Sequence, residues 1–169
     1  MKILVTGEPQ RAEFIKQGLS DSGQHTVFSC HTNQHALTKF REWRPDYVIC
    51  ELALPHRDAF ALCLAIKSDP KLSHLPVLIY TDNPIEAKDK QLALAMGTAR
   101  LILNVKDNEI LLREIALTIN QTPEPKPLRF TQEELLTFSR QHAQILSRQL
   151  QEKIDRLEME RRALRESHY

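Results

Sequence analysis

Short β-branched runs alternate with helical apolar patterns over the first 120 residues. Lys2–Thr6, Thr26–Cys30, Tyr47–Glu51, Pro76–Thr81 and Arg100–Leu103 read as strands. Between them the apolar spacing predicts helices over Arg11–Ser22 (Phe14, Ile15, Gly18 and Leu19 inward), Asn33–Trp43 (Ala36, Leu37, Phe40) and Ala59–Ser68 (Phe60, Leu62, Cys63, Ile66). A fourth helix over Ile85–Met96 stops at Gly97. A fifth over Asp107–Asn120 is capped by Asp107, its stripe of Ile110, Leu111, Ile115 and Leu117 mostly core. The strands lack polar alternation, as expected when both faces of a parallel sheet are covered. Right-handed crossovers then favour a doubly wound α/β fold of strand order 2-1-3-4-5.

The pattern changes after residue 120. Thr122-Pro123-Glu124-Pro125-Lys126-Pro127 alternates prolines, as a stiff extended linker does. From Thr131 to Ser167 there is neither Gly nor Pro, and Thr131 with Glu134 forms a capping box. Leu136, Ala143, Leu150, Leu157 and Leu164 recur every seven residues, with Leu146 and Ile154 beside them and Arg140, Ser147 and Arg161 in the register of Ile154. Such a repeat on a polar helix calls for a partner helix, so a parallel dimeric coiled coil is preferred to packing on the chain's own domain. The chain divides into a domain over 1–120, a proline-rich linker over 121–130 and an amphipathic helix over 131–169.

Composition narrows the function classes. A net charge of +1 gives no basic field for nucleic acid. No apolar run nears the roughly 20 residues that span a bilayer. Cys30, Cys50 and Cys63 lack metal spacing and sit in apolar contexts, as free thiols in a reducing cytoplasm do. His31 and His35 stand four apart without a third ligand nearby, a weak metal signal.

The chemistry concentrates at Pro45-Asp46-Tyr47-Val48-Ile49-Cys50-Glu51-Leu52-Ala53-Leu54-Pro55, a strand that ends on an acid. In open α/β sheets, ligands gather at the carboxyl ends of strands. This run resembles the phosphoacceptor strand of bacterial two-component response-regulator receiver domains, whose CheY-like, flavodoxin-type fold matches the order above. The resemblance covers roughly residues 1–120. It places Glu51 on the phosphoacceptor aspartate, Gly7 and Glu8 on the two magnesium-holding acids, Thr81 on the phosphate-binding hydroxyl, Leu101 on the switch aromatic and Asn104 on the invariant lysine. Ala59 replaces the usual glycine of the loop after Glu51.

Acyl-phosphate formation brings about −1.5 to −2 of charge up to a carboxylate, which requires a divalent cation and a lysine to offset it. With Gly7 and Asn104 in place of an acid and the lysine, too little positive charge is expected here. The Glu51 carboxylate also stands about 1.5 Å further out than that of aspartate. The resemblance therefore implies a degenerate receiver, a non-enzymatic signalling module that is not phosphorylated and needs no cofactor. Glu51 either imitates the phosphorylated state by reaching towards Thr81 or belongs to a fixed, signal-insensitive domain. The alternative is an atypical receiver competent for magnesium-dependent transfer from a histidine kinase, using Glu51 or Asp58 with magnesium held weakly by Glu8 and Glu51. Expected partners are a second copy through the C-terminal helix and a sensor kinase or other two-component protein, with neither nucleic acid nor membrane. The ending Leu157–Ser167 resembles linkers before PAS domains. That resemblance implies the N-terminal part of a larger sensor kinase or cyclase.

Overall fold

The computed structural model describes residues 1–53, 58–82, 85–121 and 131–168, the side chain of Gln132 apart. Most of the expected linker therefore lies outside the described residues. The elements run β1 (Lys2–Thr6), α1 (Pro9–Ser20), β2 (Thr26–Cys30), α2 (Asn33–Trp43), β3 (Tyr47–Glu51), α3 (Ala59–Ser68), β4 (Val77–Tyr80), α4 (Ala87–Ala95), β5 (Arg100–Ile102), α5 (Asn108–Gln121) and α6 (Gln132–Ser167). All strand pairs are parallel, in the order β2-β1-β3-β4-β5. Every residue of β3 and β4 is buried, which explains their unbroken apolar sequences.

Two apolar layers sandwich the sheet. Ile3, Val5, Ile49 and Leu78 meet α1 and α5 on one face. Leu4, Val48, Cys50 and Ile79 meet α2, α3 and α4 on the other, and Phe138 and Ile145 of α6 join that second layer. Two inward expectations are corrected. Phe14 is 37% exposed, because α1 buries Ala12, Ile15 and Leu19 instead. On α5 the core positions are Leu111, Ile115, Thr118 and Ile119, so Ile110 and Leu117 face outward. Gly97, at φ +82, closes the turn after α4 in the left-handed region that glycine adopts without steric cost.

The capping box of α6 forms as expected, Thr131 and Glu134 each satisfying the other's backbone N–H. The preference for a partner helix over the chain's own domain is corrected for the first half of α6, which lies on α3 and α4. It does so through a stripe that the seven-residue repeat does not contain: Phe138, His142, Ile145 and Arg148. Phe138 and Ile145 are buried, each contributing up to about 1.5–3 kcal/mol. His142 Nε2 lies 2.5 Å from Asp58 Oδ2. Arg148 Nη2 donates to both carboxylate oxygens of Asp89, and its Nη1 lies 3.1 Å from Glu86 Oε2. The heptad residues Leu136, Ala143, Leu150, Leu157 and Leu164 are all exposed within the single chain.

Candidate functional site

Parallel strands all present their carboxyl ends on one edge, and β1, β3 and β4 bring Gly7, Glu51 and Thr81 together there. Glu51 pairs in register with Tyr80, directly before Thr81. Glu51 is 7% exposed, and burial of a carboxylate demands partners. The Glu8 N–H donates to its Oε1 at 3.2 Å, and the Arg11 guanidinium lies 3.6 Å from its Oε2. The same Arg11 nitrogen lies 3.6 Å from Asp82 Oδ2, and Arg11 Nε donates to Asn108 Oδ1 at 3.1 Å. One side chain on α1 thus ties the ends of β3 and β4 to the start of α5.

Arg11 brings to this edge a charge that the sequence reading did not name. A permanent cation stands beside the acids, where sequence reasoning counted only the missing lysine. The signal for it was an arginine three residues after Glu8, in the first turn after β1, where strand ends and acids converge.

Glu8 is spent differently from a metal ligand. Its carboxylate caps α1, accepting from the backbone N–H groups of Gln10 and Arg11 at 3.1 and 3.0 Å, where an anion also meets the helix dipole. Pro9 follows at the first helical position, which needs no N–H donor. Gly7 is kept by space. A Cβ there would stand 2.6 Å from Tyr80 Oη and 3.2 Å from Glu51 Cβ. Among the described residues no three His, Cys, Asp or Glu side chains are grouped to hold a metal ion. At this edge Gly7 offers no carboxylate, and the carboxylate of Glu8 is turned to a helix end.

The remaining expected residues fall as follows. Thr81 is buried, its N–H bonded to the Ile102 carbonyl and its own carbonyl accepting from Val105 N–H. Asn104 is exposed and adopts φ 58, the left-handed region that asparagine tolerates better than most side chains. Leu101 is half-buried against the α2–α3–α4 layer. Asp58, the other acid considered, caps α3 through Ala61 N–H and meets His142. His31 precedes α2, whereas His35 lies within it with its ring edge-on to Phe28, so the two histidines do not share a helix face.

Burial pushes the Cys50 thiol up to about 12 and the Cys63 thiol up to about 11. Both stay protonated in the folded chain, while the unfolded chain ionises near 9.0. With the folded values raised, their contribution to stability is whole below pH 9.0. It is lost as pH rises through about 11 and about 12. Iodoacetamide below pH 9.0 should therefore leave both thiols unmodified until denaturant is added; intact mass checks it, and rapid labelling of either in the folded chain refutes it.

Comparison with known proteins locates this arrangement. No curated protein is significantly similar to the chain in sequence. Among solved structures, the signal receiver domain of a signal transduction histidine kinase from Syntrophus aciditrophicus is similar, with 21% identity and a TM-score of 0.60 over 77% of this chain and 98% of that one. The BeF3-activated N-terminal receiver domain of Klebsiella pneumoniae RstA shares 22% identity, with a TM-score of 0.58 over 72% of this chain and 100% of that domain. Chemotaxis protein CheY4 of Vibrio cholerae shares 21%, with a TM-score of 0.58 over 69% and 97%. Among the described residues no helix is long and apolar enough to cross a membrane. The sequence itself matches the response regulator receiver domain over residues 3–116, and the chain belongs to that family.

Proposed function

We propose that this chain is a receiver module of two-component signalling whose acidic pocket is held by its own side chains and accepts no phosphoryl group. The observation that carries this reading is the Glu51–Arg11 pair, with the Glu8 carboxylate committed to the end of α1. A Glu51 carboxylate with one oxygen accepting an N–H and the other facing a guanidinium is a weak nucleophile. An arriving phosphoryl group would have to displace Arg11 from Asp82 without a magnesium ion to help. In this reading the chain performs no catalysis, binds no cofactor and passes its signal through dimerisation or α6 to a sensor kinase or another two-component protein. Any catalytic domain, such as the kinase or cyclase of a larger protein, lies outside it.

A second reading keeps phosphotransfer: magnesium-dependent transfer from a histidine kinase to this atypical receiver. Arg11 favours it in one respect, since it supplies positive charge at the place where charge would develop. Incubation with a small phosphodonor and magnesium, followed by intact mass, separates the two. The expected result is an unchanged mass and no binding of beryllofluoride. Addition of one phosphoryl group, lost in Glu51→Gln, overturns the proposal. Glu51→Gln is otherwise expected to leave dimerisation unchanged, because a fixed pocket carries no imitation of the phosphorylated state.

A further inference from the structure

Helix α6 has two faces. Phe138, His142, Ile145 and Arg148 meet the domain, whereas Leu150 lies about 120° around the helix from Phe138 at 3.6 residues per turn. Leu157 and Leu164 continue the line of Leu150, and both are more than half exposed. The docked face and the leucine line therefore do not compete for the same side of the helix.

We propose that a second copy of this chain docks on the leucine line of α6, parallel and in register, while α6 remains on its own domain. Leu150, Ile154, Leu157, Arg161 and Leu164 are spaced 4, 3, 4 and 3, the alternation of d and a positions in a coiled coil. Leucine at d with β-branched Ile154 at a is the combination that favours two parallel strands, and the polar Arg161 at a fixes register.

Charge selects the occupant. With leucines at d, Lys153 and Glu160 fall at g, and Glu158 and Arg165 fall at e. In a parallel, in-register pair each g residue faces the e residue five positions on in the partner. Lys153 then faces Glu158 of the second copy and Glu160 faces Arg165, opposite charges in both cases, each occurring twice by symmetry. A helix with this sequence is complementary to itself, so the partner is the same chain and not an unrelated apolar surface.

This inference deepens the dimerisation part of the proposed function and does not depend on the pocket chemistry. Sedimentation equilibrium of the full chain should show a reversible dimer. The double variant Lys153→Glu, Arg165→Glu places acid against acid and should weaken association about tenfold. Adding Glu158→Lys and Glu160→Lys should restore it. Leu150→Cys and Leu164→Cys, made separately, should each give a disulfide-linked dimer on oxidation. Deuterium uptake by α3 and α4 should not change on linking.

A chain that stays monomeric, a dimer indifferent to charge reversal, or linkage at only one of the two cysteines, as in antiparallel pairing, overturns the inference. Increased uptake by α3 and α4 on linking overturns the claim that α6 stays docked. None of these outcomes alters the phosphodonor result, so this inference and the pocket reading can fail separately.

Discussion

Arg148→Ala is expected to weaken the docking of α6 by about 3 kcal/mol, more than loss of a surface charge explains. The Asp89 side chain is only 3% exposed, and Arg148, 29% exposed, meets both of its oxygens at 2.9 Å. An open pair of this kind is worth about 0–1 kcal/mol, whereas removing one partner of a buried pair strands a charge in the protein. The partial exposure of Arg148 keeps the expected cost at the low end of that range. An isolated helix is marginal in water, so the loss should appear as local opening. Amide exchange over residues 138–148 should speed up roughly a hundredfold. Asp89→Ala in the same chain should recover part of the loss, because it removes the stranded carboxylate. Arg148→Lys should recover little, since an ammonium lacks the fork that meets two oxygens at once. An exchange rate within about threefold of the parent would show that Phe138, Ile145 and His142 hold the helix without Arg148.

The sheet was legible because burial on both faces leaves each strand a continuous apolar run that needs no partner to interpret. Helix ends were read less well. α1 begins at Pro9, two residues before the expected Arg11, since Glu8 caps it and proline at the first position continues the helix. The docked stripe of α6 was hidden by a stronger signal. Five residues recurring every seven draw the eye to one face, while half of the docked face is polar, and His142 and Arg148 acquire meaning only beside Asp58 and Asp89. Those partners lie 84 and 59 residues away in sequence. Arg11 was missed for a related reason. Spacing along the chain counts absent acids and lysines at matching positions, yet it does not reveal that the first turn of α1 leans over the end of β3. The sequence reading singled out Gly7, Glu51 and Asn104 because they stand inside runs that otherwise match the receiver pattern; Arg11, beside Glu51 in the structure, was not among them.

The departure at Gly7 is tied to Tyr80, and this leads to the second expected result. Gly7→Ala should cost about 1–3 kcal/mol, the usual range for overpacking a filled site. Tyr80 is fully buried in β4, so its ring has little room to turn from a Cβ that would stand 2.6 Å from its hydroxyl oxygen. Tyr80→Phe alone should change stability by no more than about 1 kcal/mol. Combined with Gly7→Ala it should cost less than the sum of the two, because the hydroxyl is the atom in the way. Strict additivity in denaturant titrations would show that the backbone, and not Tyr80, requires glycine. The Glu51 Cβ, 3.2 Å from the new methyl, leaves a residual cost that Tyr80→Phe does not relieve. Function is constrained by the same packing. An aspartate at position 7 needs both the space of the tyrosine hydroxyl and a cation to balance Glu51 beside it. Glu51→Asp alone should therefore take up no phosphoryl group from a small donor. Uptake is expected only when Gly7→Asp, Tyr80→Phe and Asn104→Lys accompany it. Uptake by the single variant would mean that Arg11 suffices as the cation, and that a carboxylate of aspartate's length is all the pocket needs to accept a phosphoryl group.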